Sequence, residues 1–358
     1  MPALSSVLRY PLYPFALLYE GIVRTRNTLY EKEVFGVYQA PIPVICVGNL
    51  SVGGTGKTPQ VEYLARLLQP RNIAILSRGY KRATKGFVLA DAQATATSLG
   101  DEPFQYTQSL PQVKVAVCEK RALGIQQLLH LFPELEVILL DDAFQHRAVK
   151  ASHYLLLTDF SCLFTQDYLL PVGLLREPRT GATRADAVVV TKCPENVTAE
   201  QQAIIRQQVQ QYTAPATPLF FSQIVYAPAV PVGRGKTLGK RLILVTGIAN
   251  AQPLVRHLQK TGAELVRHFE WPDHAAVTAE RVEEVISFYT SLQDPEVSIL
   301  MTQKDAVKWQ APALESRWRD YPVFYVPITN AFAPQVPSFD DTVRGWLPQA
   351  GSDFNAYF

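Results

Sequence analysis

The stretch Val44-Ile-Cys-Val-Gly-Asn-Leu-Ser-Val-Gly-Gly-Thr-Gly-Lys-Thr-Pro59 constrains this chain more than any other. A short apolar run ends in a glycine-dense turn, the turn ends in Gly56-Lys57-Thr58, and a helical pattern follows from Gln60 to Leu68. Strand, glycine turn and helix in that order make a phosphate-binding loop. Glycines let several backbone N–H groups curl toward one anion, and the helix N-terminus adds the positive end of its dipole. Here Gly53, Gly54, Thr55 and Gly56 supply the cradle, Lys57 reaches the β- and γ-phosphates, and the Thr58 hydroxyl binds Mg²⁺. The ligand this predicts is a nucleoside triphosphate. The strict spacing G-x-x-x-x-G-K-[ST] is not met, because Ser51 stands at the first glycine position. A glycine-rich turn with a chance Lys-Thr is the alternative, and the flanking strand, helix and Gly53-Gly54 pair weigh against it.

Further along, Val137-Ile-Leu-Leu-Asp141-Asp142 is an apolar strand ending in two carboxylates. Behind a phosphate-binding loop it reads as the strand whose end holds Mg²⁺, directly or through water. Gly100-Asp101-Glu102-Pro103 opens a helical pattern, with Asp101 expected as the N-cap and Pro103 just inside. A carboxylate held at a helix start also suits a metal ligand or a base. Ser77-Arg78-Gly79-Tyr80-Lys81-Arg82 and Leu175-Arg176-Glu177-Pro178-Arg179 are basic turns that suit an anionic substrate or, more plainly, solvent. Thr191-Lys192-Cys193-Pro194 lies where guanine-binding loops carry N-K-x-D, and Pro194 removes the carboxylate that would read guanine, so ATP is expected over GTP. Asp273-His274 taken alone is a weak signal, and a loop histidine with a structural hydrogen bond would look the same.

At 358 residues the chain has room for about two domains of ~150 residues. Apolar runs alternate with helical patterns: Val44–Val47, Ile73–Leu76, Val113–Val117, Val137–Leu140, Tyr154–Leu157 and Ala187–Val190 read as buried strands. The rhythm predicts an α/β fold, a P-loop NTPase-like parallel sheet flanked by helices. A proline-rich stretch interrupts it, after which strands at Leu242–Val245, Glu264–Phe269, Val297–Met301 and Val323–Val326 predict a second, smaller α/β domain. The expected boundaries are 1–35 for an N-terminal amphipathic helix, 36–215 for the P-loop domain, 216–234 for a linker and 235–348 for the smaller domain. A net charge of +2 gives no field for nucleic acid. Four scattered cysteines form no metal knuckle or disulfide framework. In the N-terminal segment Leu4, Leu8, Leu12, Phe15, Leu18 and Ile22 recur at helical spacing, flanked by Arg9, Arg24 and Arg26. It is too short to span a bilayer and either lies in a membrane interface or packs on the protein's own sheet.

These pieces in this order resemble the tetraacyldisaccharide 4'-kinase family, the lipid A 4'-kinases. The resemblance covers most of the chain: Gly48-Asn49 to Pro59, Ser77–Tyr80, Gly100–Pro103, Asp141–Arg147, Leu175–Pro178, Asp273-His274 and Thr302-Gln303-Lys304-Asp305-Ala306-Val307-Lys308. The family's loop also lacks the first glycine. Two departures stand out. Ala143 replaces the glycine of Asp-Asp-Gly-Phe-Gln-His, so that residue should not need a positive φ, or else it bears some strain. Lys81-Arg82 stands where the family commonly has Gly-Arg.

The resemblance implies transfer of the ATP γ-phosphate to the 4'-hydroxyl of a tetra-acylated glucosamine disaccharide 1-phosphate, a glycolipid embedded in the inner membrane, at its cytoplasmic face. It favours an interfacial N-terminus and implies no nucleic-acid or protein partner. In the mechanism expected, Thr58, Asp142 and Glu102 organise Mg²⁺, and Asp141 either joins them or, with His146, stands behind them or faces substrate. Asp101, polarised by His274, takes the hydroxyl proton, while Lys57, Arg121 and Arg176 stabilise phosphate charge. The rivals are a P-loop ATPase or GTPase switch or metallochaperone without a lipid substrate, and a kinase for a small soluble metabolite.

Overall fold

The computed structural model describes residues 10–273 and 275–348. Its large sheet has nine strands in the order Ile328–Phe332, Leu219–Tyr226, Ala187–Thr191, His153–Asp159, Val44–Asn49, Val137–Asp141, Ile73–Ser77, Lys114–Val117 and Val88–Leu89. The seven inner strands are parallel and only the two outermost run antiparallel to their neighbours. Strands such as Val44–Asn49 and Ala187–Thr191 are buried at every position, which is why they read as unbroken apolar runs. Helices cover both faces, and two apolar cores result, one on each side of the sheet.

A second sheet orders Val230–Pro231, Val323–Val326, Val297–Thr302, Arg241–Thr246 and Glu264–Glu270, parallel except at its first edge. It carries its own core around Trp309, Trp318 and Ile299. The boundaries differ from those expected. The segment 216–234 contains the strand Leu219–Tyr226, which extends the large sheet. The chain then builds the smaller lobe and returns, because Ile328–Phe332 pairs with that strand. The returning segment seals the large domain: Asn330 donates to the buried Gln60 at 2.9 Å, and Phe339, Val343 and Leu347 enter the core beneath the phosphate-loop helix Lys57–Leu67. Proline density hid the strand because it flanks the run at 215, 218 and 228 without entering it.

The helix Tyr13–Glu31 turns only Ala16 and Val23 fully inward. The expected apolar stripe faces outward, with Phe15, Leu18 and Ile22 each at least 60% exposed. Leu4 and Leu8 lie outside the described residues. Polar contacts hold the helix down: Tyr19 donates to the Arg176 carbonyl at 2.7 Å and Arg26 to the Gln145 carbonyl at 2.6 Å. Among the described residues no helix is long and apolar enough to cross a membrane.

The turn after Asp141 lies against the central strand. A Cβ added to Gly48 would sit 2.6 Å from the Phe144 Cβ and 3.0 Å from its backbone nitrogen. Gly48→Ala should therefore destabilise the protein by about 1–3 kcal/mol, read as a lowered midpoint in thermal or urea unfolding. An unchanged midpoint would mean that the turn is not packed as described.

Candidate active site

Every polar group of the site sits at or beyond the carboxyl ends of the parallel strands, where open α/β sheets leave their crevice. The strand Val44–Asn49 ends in the glycine loop. Gly53 has φ +112° and Gly56 φ +80°, conformations that need glycine. Gly56 caps the helix Lys57–Leu67 without any side-chain bond, so the first-turn N–H groups are left to an incoming anion. Gly54 and Thr55 lie between them, Thr55 buried with its hydroxyl unbonded. Ser51 needs no glycine because its backbone is extended: it forms an antiparallel bridge to Leu175, with Val52 N–H donating to the Leu174 carbonyl at 2.7 Å.

That bridge brings in the turn that carries Arg176. Its guanidinium donates to Asp142 at 2.8 Å and to the carbonyl and side-chain oxygens of Asn49. Lys57 points into the same space, its ammonium 3.7 Å from Asp142. Burial would raise the Asp142 carboxyl, but the Lys57 and Arg176 cations outweigh it and hold it down at about 2. Asp141, one residue earlier, is the reverse. It is buried, accepts from Ser77 at 3.0 Å on one oxygen and has no partner on the other. Burial, then the nearby Glu102 and Asp142 charges, push it up to about 7.

The left-handed residue in this turn is Asp142, at φ +46°, and Ala143 has no positive φ, as expected. The family's other glycine is explained too. Lys81, which stands in its place, has φ +60°. The helix Asp101–Ser109 begins one residue earlier than expected: Gly100, not Asp101, is the N-cap, so Asp101 and Glu102 occupy its first turn. Asp101 faces Lys308 of the smaller lobe, with 3.9 Å between their charged atoms. Arg121 opens the helix Arg121–Leu131, is buried, and donates to the Cys118 carbonyl at 3.0 Å. Desolvation lowers its pKa, against the pull of the Asp141 and Asp142 charges. His146 is held at about 4 by burial and by the Arg121, Arg26 and Arg78 cations, so it is neutral near pH 7. His274 lies outside the described residues.

The structure thus joins Lys57, Asp142, Arg176 and the loop directly, and links Asp141, Glu102 and Arg121 to them through charge. Three groups escaped the sequence reading. Asn49 ends the central strand and accepts from Arg176. Thr191 donates to the Thr55 carbonyl at 2.9 Å, and Lys192 donates to the Gly54 carbonyl and pairs with Asp159 at 2.8 Å, bracing the loop from the next strand but one. The signal was the Thr-Lys at that strand end, examined only as a guanine reader.

The model for the family described as tetraacyldisaccharide-1-P 4'-kinase matches residues 8–347. The tetraacyldisaccharide 4'-kinase of Flavobacterium johnsoniae is 40% identical over 350 residues, covering 96% of this chain and 98% of that protein. That of Cytophaga hutchinsonii is 41% identical over 325 residues, covering 90% and 91%. Among solved structures, LpxK from Aquifex aeolicus in complex with ATP aligns with a TM-score of 0.71 at 29% identity, covering 95% of this chain and all of that one.

The raised Asp141 carboxyl makes a checkable statement about stability. A carboxyl whose folded pKa lies above its unfolded value keeps a proton the unfolded chain gives up. It therefore costs stability as pH rises from about 4 through about 7. Asp141→Asn should raise the melting temperature of the ligand-free protein at pH 8 and lose that advantage at pH 4. A gain independent of pH would contradict a strained carboxylate.

Proposed function

The chain belongs to the tetraacyldisaccharide-1-P 4'-kinase family, and from that premise we propose how its residues divide the work. The protein is an ATP-dependent kinase that transfers the γ-phosphate to the 4'-hydroxyl of a tetraacyl glucosamine disaccharide 1-phosphate in lipid A biosynthesis. The observation that carries the reading of the site is the convergence of the uncapped helix start, Lys57 and Arg176 on one negatively charged strand end.

In this reading the loop N–H groups of Gly53, Gly54, Thr55, Gly56 and Thr58 bind the triphosphate, and Lys57 spans its β- and γ-oxygens. Arg176 and Arg121 offset phosphate charge on ATP or on the acceptor's 1-phosphate. A Mg²⁺ ion fits here. Among the described residues no cluster of three His, Cys, Asp or Glu side chains forms a protein-only metal site, and a nucleotide-bound Mg²⁺ needs only one or two carboxylates beside phosphates and water. The orphaned oxygen of Asp141, with Glu102 and Asp142 close enough to raise its pKa, is a donor set short of a cation. Thr58 with one or two of Asp141, Asp142 and Glu102 would hold the ion, which would supply charge neutralisation on the transferring phosphoryl group.

Asp101 accepts the proton of the 4'-hydroxyl as its oxygen bonds to the γ-phosphorus. The bond from phosphorus to the β–γ bridging oxygen breaks, and that electron pair leaves on ADP. Positioning and charge neutralisation account for most of the catalysis. His274 is the residue proposed to polarise Asp101.

The outward face of the N-terminal helix supports docking at the cytoplasmic face of the inner membrane, where the glycolipid resides. Leu17, Leu18, Ile22, Leu29 and Phe35 line an open apolar groove of about 630 Å³ on it. Through Tyr19 the same helix touches the Arg176 turn, so an acyl surface and the phosphate site would be continuous.

Purified protein given labelled ATP and the disaccharide lipid should label the lipid. Hydrolysis without lipid labelling would favour the nucleotide switch. Asp101→Ala should cut turnover by about 10²–10⁴-fold with ATP affinity held within a few fold; lost ATP binding would make Asp101 a structural or metal residue instead. Phe15→Gln, Leu18→Gln and Ile22→Gln combined should weaken vesicle association about tenfold or more with an unaltered melting curve. Undiminished association would remove this face from docking.

A further inference from the structure

The helix Gln303–Trp309 of the smaller lobe lies along the large domain's helix Asp101–Ser109, with Gln303 at its end and Lys308 at its start. Three contacts hold it there. Val307 is buried with Leu99, Phe104 and Val117 of the large domain in an apolar cluster that crosses the boundary between the lobes. Gln303 donates to the Ser109 hydroxyl at 2.6 Å. Lys308, only 9% exposed at its side chain, brings its ammonium 3.9 Å from Asp101 and 4.0 Å from Asp305.

The Lys308 ammonium is buried without a hydrogen bond. A charge taken out of water is costly unless it is paired and bonded. Asp305 turns one oxygen to the Gly247 N–H at 2.9 Å and the Thr302 hydroxyl at 2.6 Å, and its other oxygen stays 4.0 Å from the ammonium, an ion pair without a hydrogen bond. Apolar packing and the Gln303 side-chain hydrogen bond therefore hold a buried ammonium, paired by charge alone with Asp305, opposite Asp101. The separation matters. A lysine at ordinary hydrogen-bond length would donate into a lone pair of the Asp101 oxygen it faces. At 3.9 Å it orients the carboxylate by charge and leaves that lone pair open.

We propose that Lys308 is a positioning residue for phosphoryl transfer: from the smaller lobe it aims the Asp101 carboxylate at the acceptor hydroxyl. This rests on Asp101 as the base. The lysine acts on the step in which the hydroxyl loses its proton and leaves ATP binding alone, since the phosphate loop lies on other elements.

Steady-state kinetics on the full-length protein tests it. Lys308→Met should lower kcat about 30–100-fold with KM for ATP within threefold, and Lys308→Arg should recover at least tenfold of the loss. In an Asp101→Asn background, Lys308→Met should cost nothing further, because the two act as a unit. Wild-type kcat in a folded Lys308→Met, with Asp101→Ala still inactive, would overturn the positioning role and leave the base assignment standing. An active Asp101→Ala would bring down the base assignment itself. Should Lys308→Met fail to fold, the Gln and Arg variants decide: a folded Lys308→Gln with wild-type kcat overturns the proposal, and a slow Gln beside an active Arg supports it. Failure of all three to fold would make the lysine a folding residue and end the proposal.

Discussion

Asp142 ties the site together. Its carboxylate pairs with Arg176 and Lys57, and so joins a strand end, a distant turn and the first residue of the phosphate-loop helix. The carboxylate is partly buried, and the two cations keep it ionised against that burial. Arg176 extends the hold to Asn49 on the central strand, and Lys192 and Thr191 secure the loop from beyond. The left-handed backbone at Asp142 and Lys192 is strain these pairings sustain, and it falls in the site, as such strain often does.

The adjacent carboxylates differ because their surroundings differ. Asp142 has two cations, whereas Asp141 has a hydroxyl, burial and two negative neighbours. The polypeptide alone leaves a site with one satisfied and one unsatisfied acid, a pattern suited to receiving a cation along with a polyphosphate. Docking the smaller lobe through Val307 and Gln303 adds a buried lysine opposite Asp101. The proposed chemistry therefore draws on both lobes, while the proposed nucleotide contacts all lie in the larger.

Much of this could be read in advance because parallel strands buried on both faces are continuous apolar runs. Val44–Asn49, Ile73–Ser77, Val137–Asp141 and Ala187–Thr191 all lie within a residue or two of where the pattern places them. The phosphate loop was legible for the same local reason: glycine is demanded where φ is positive, and Gly53 and Gly56 meet that demand. What escaped was long-range. Nothing near residue 330 announces that Asn330 will bond Gln60, or that Ile328–Phe332 will close the first sheet after a lobe of about a hundred residues intervenes. Lys192 was visible as a residue and invisible as a brace, because its partner carbonyl is 138 positions away.

The sequence by itself determined the elements, the α/β class, the triphosphate loop and the residue types of the site, since backbone periodicity, glycine freedom and residue chemistry are local properties. Only the tertiary structure decided which of two neighbouring acids is neutralised and which is left strained. It also decided where the lobes divide, and that the apolar stripe of the first helix faces outward. Charge balance and burial depend on what the rest of the fold places within a few ångströms, and no window of sequence contains that.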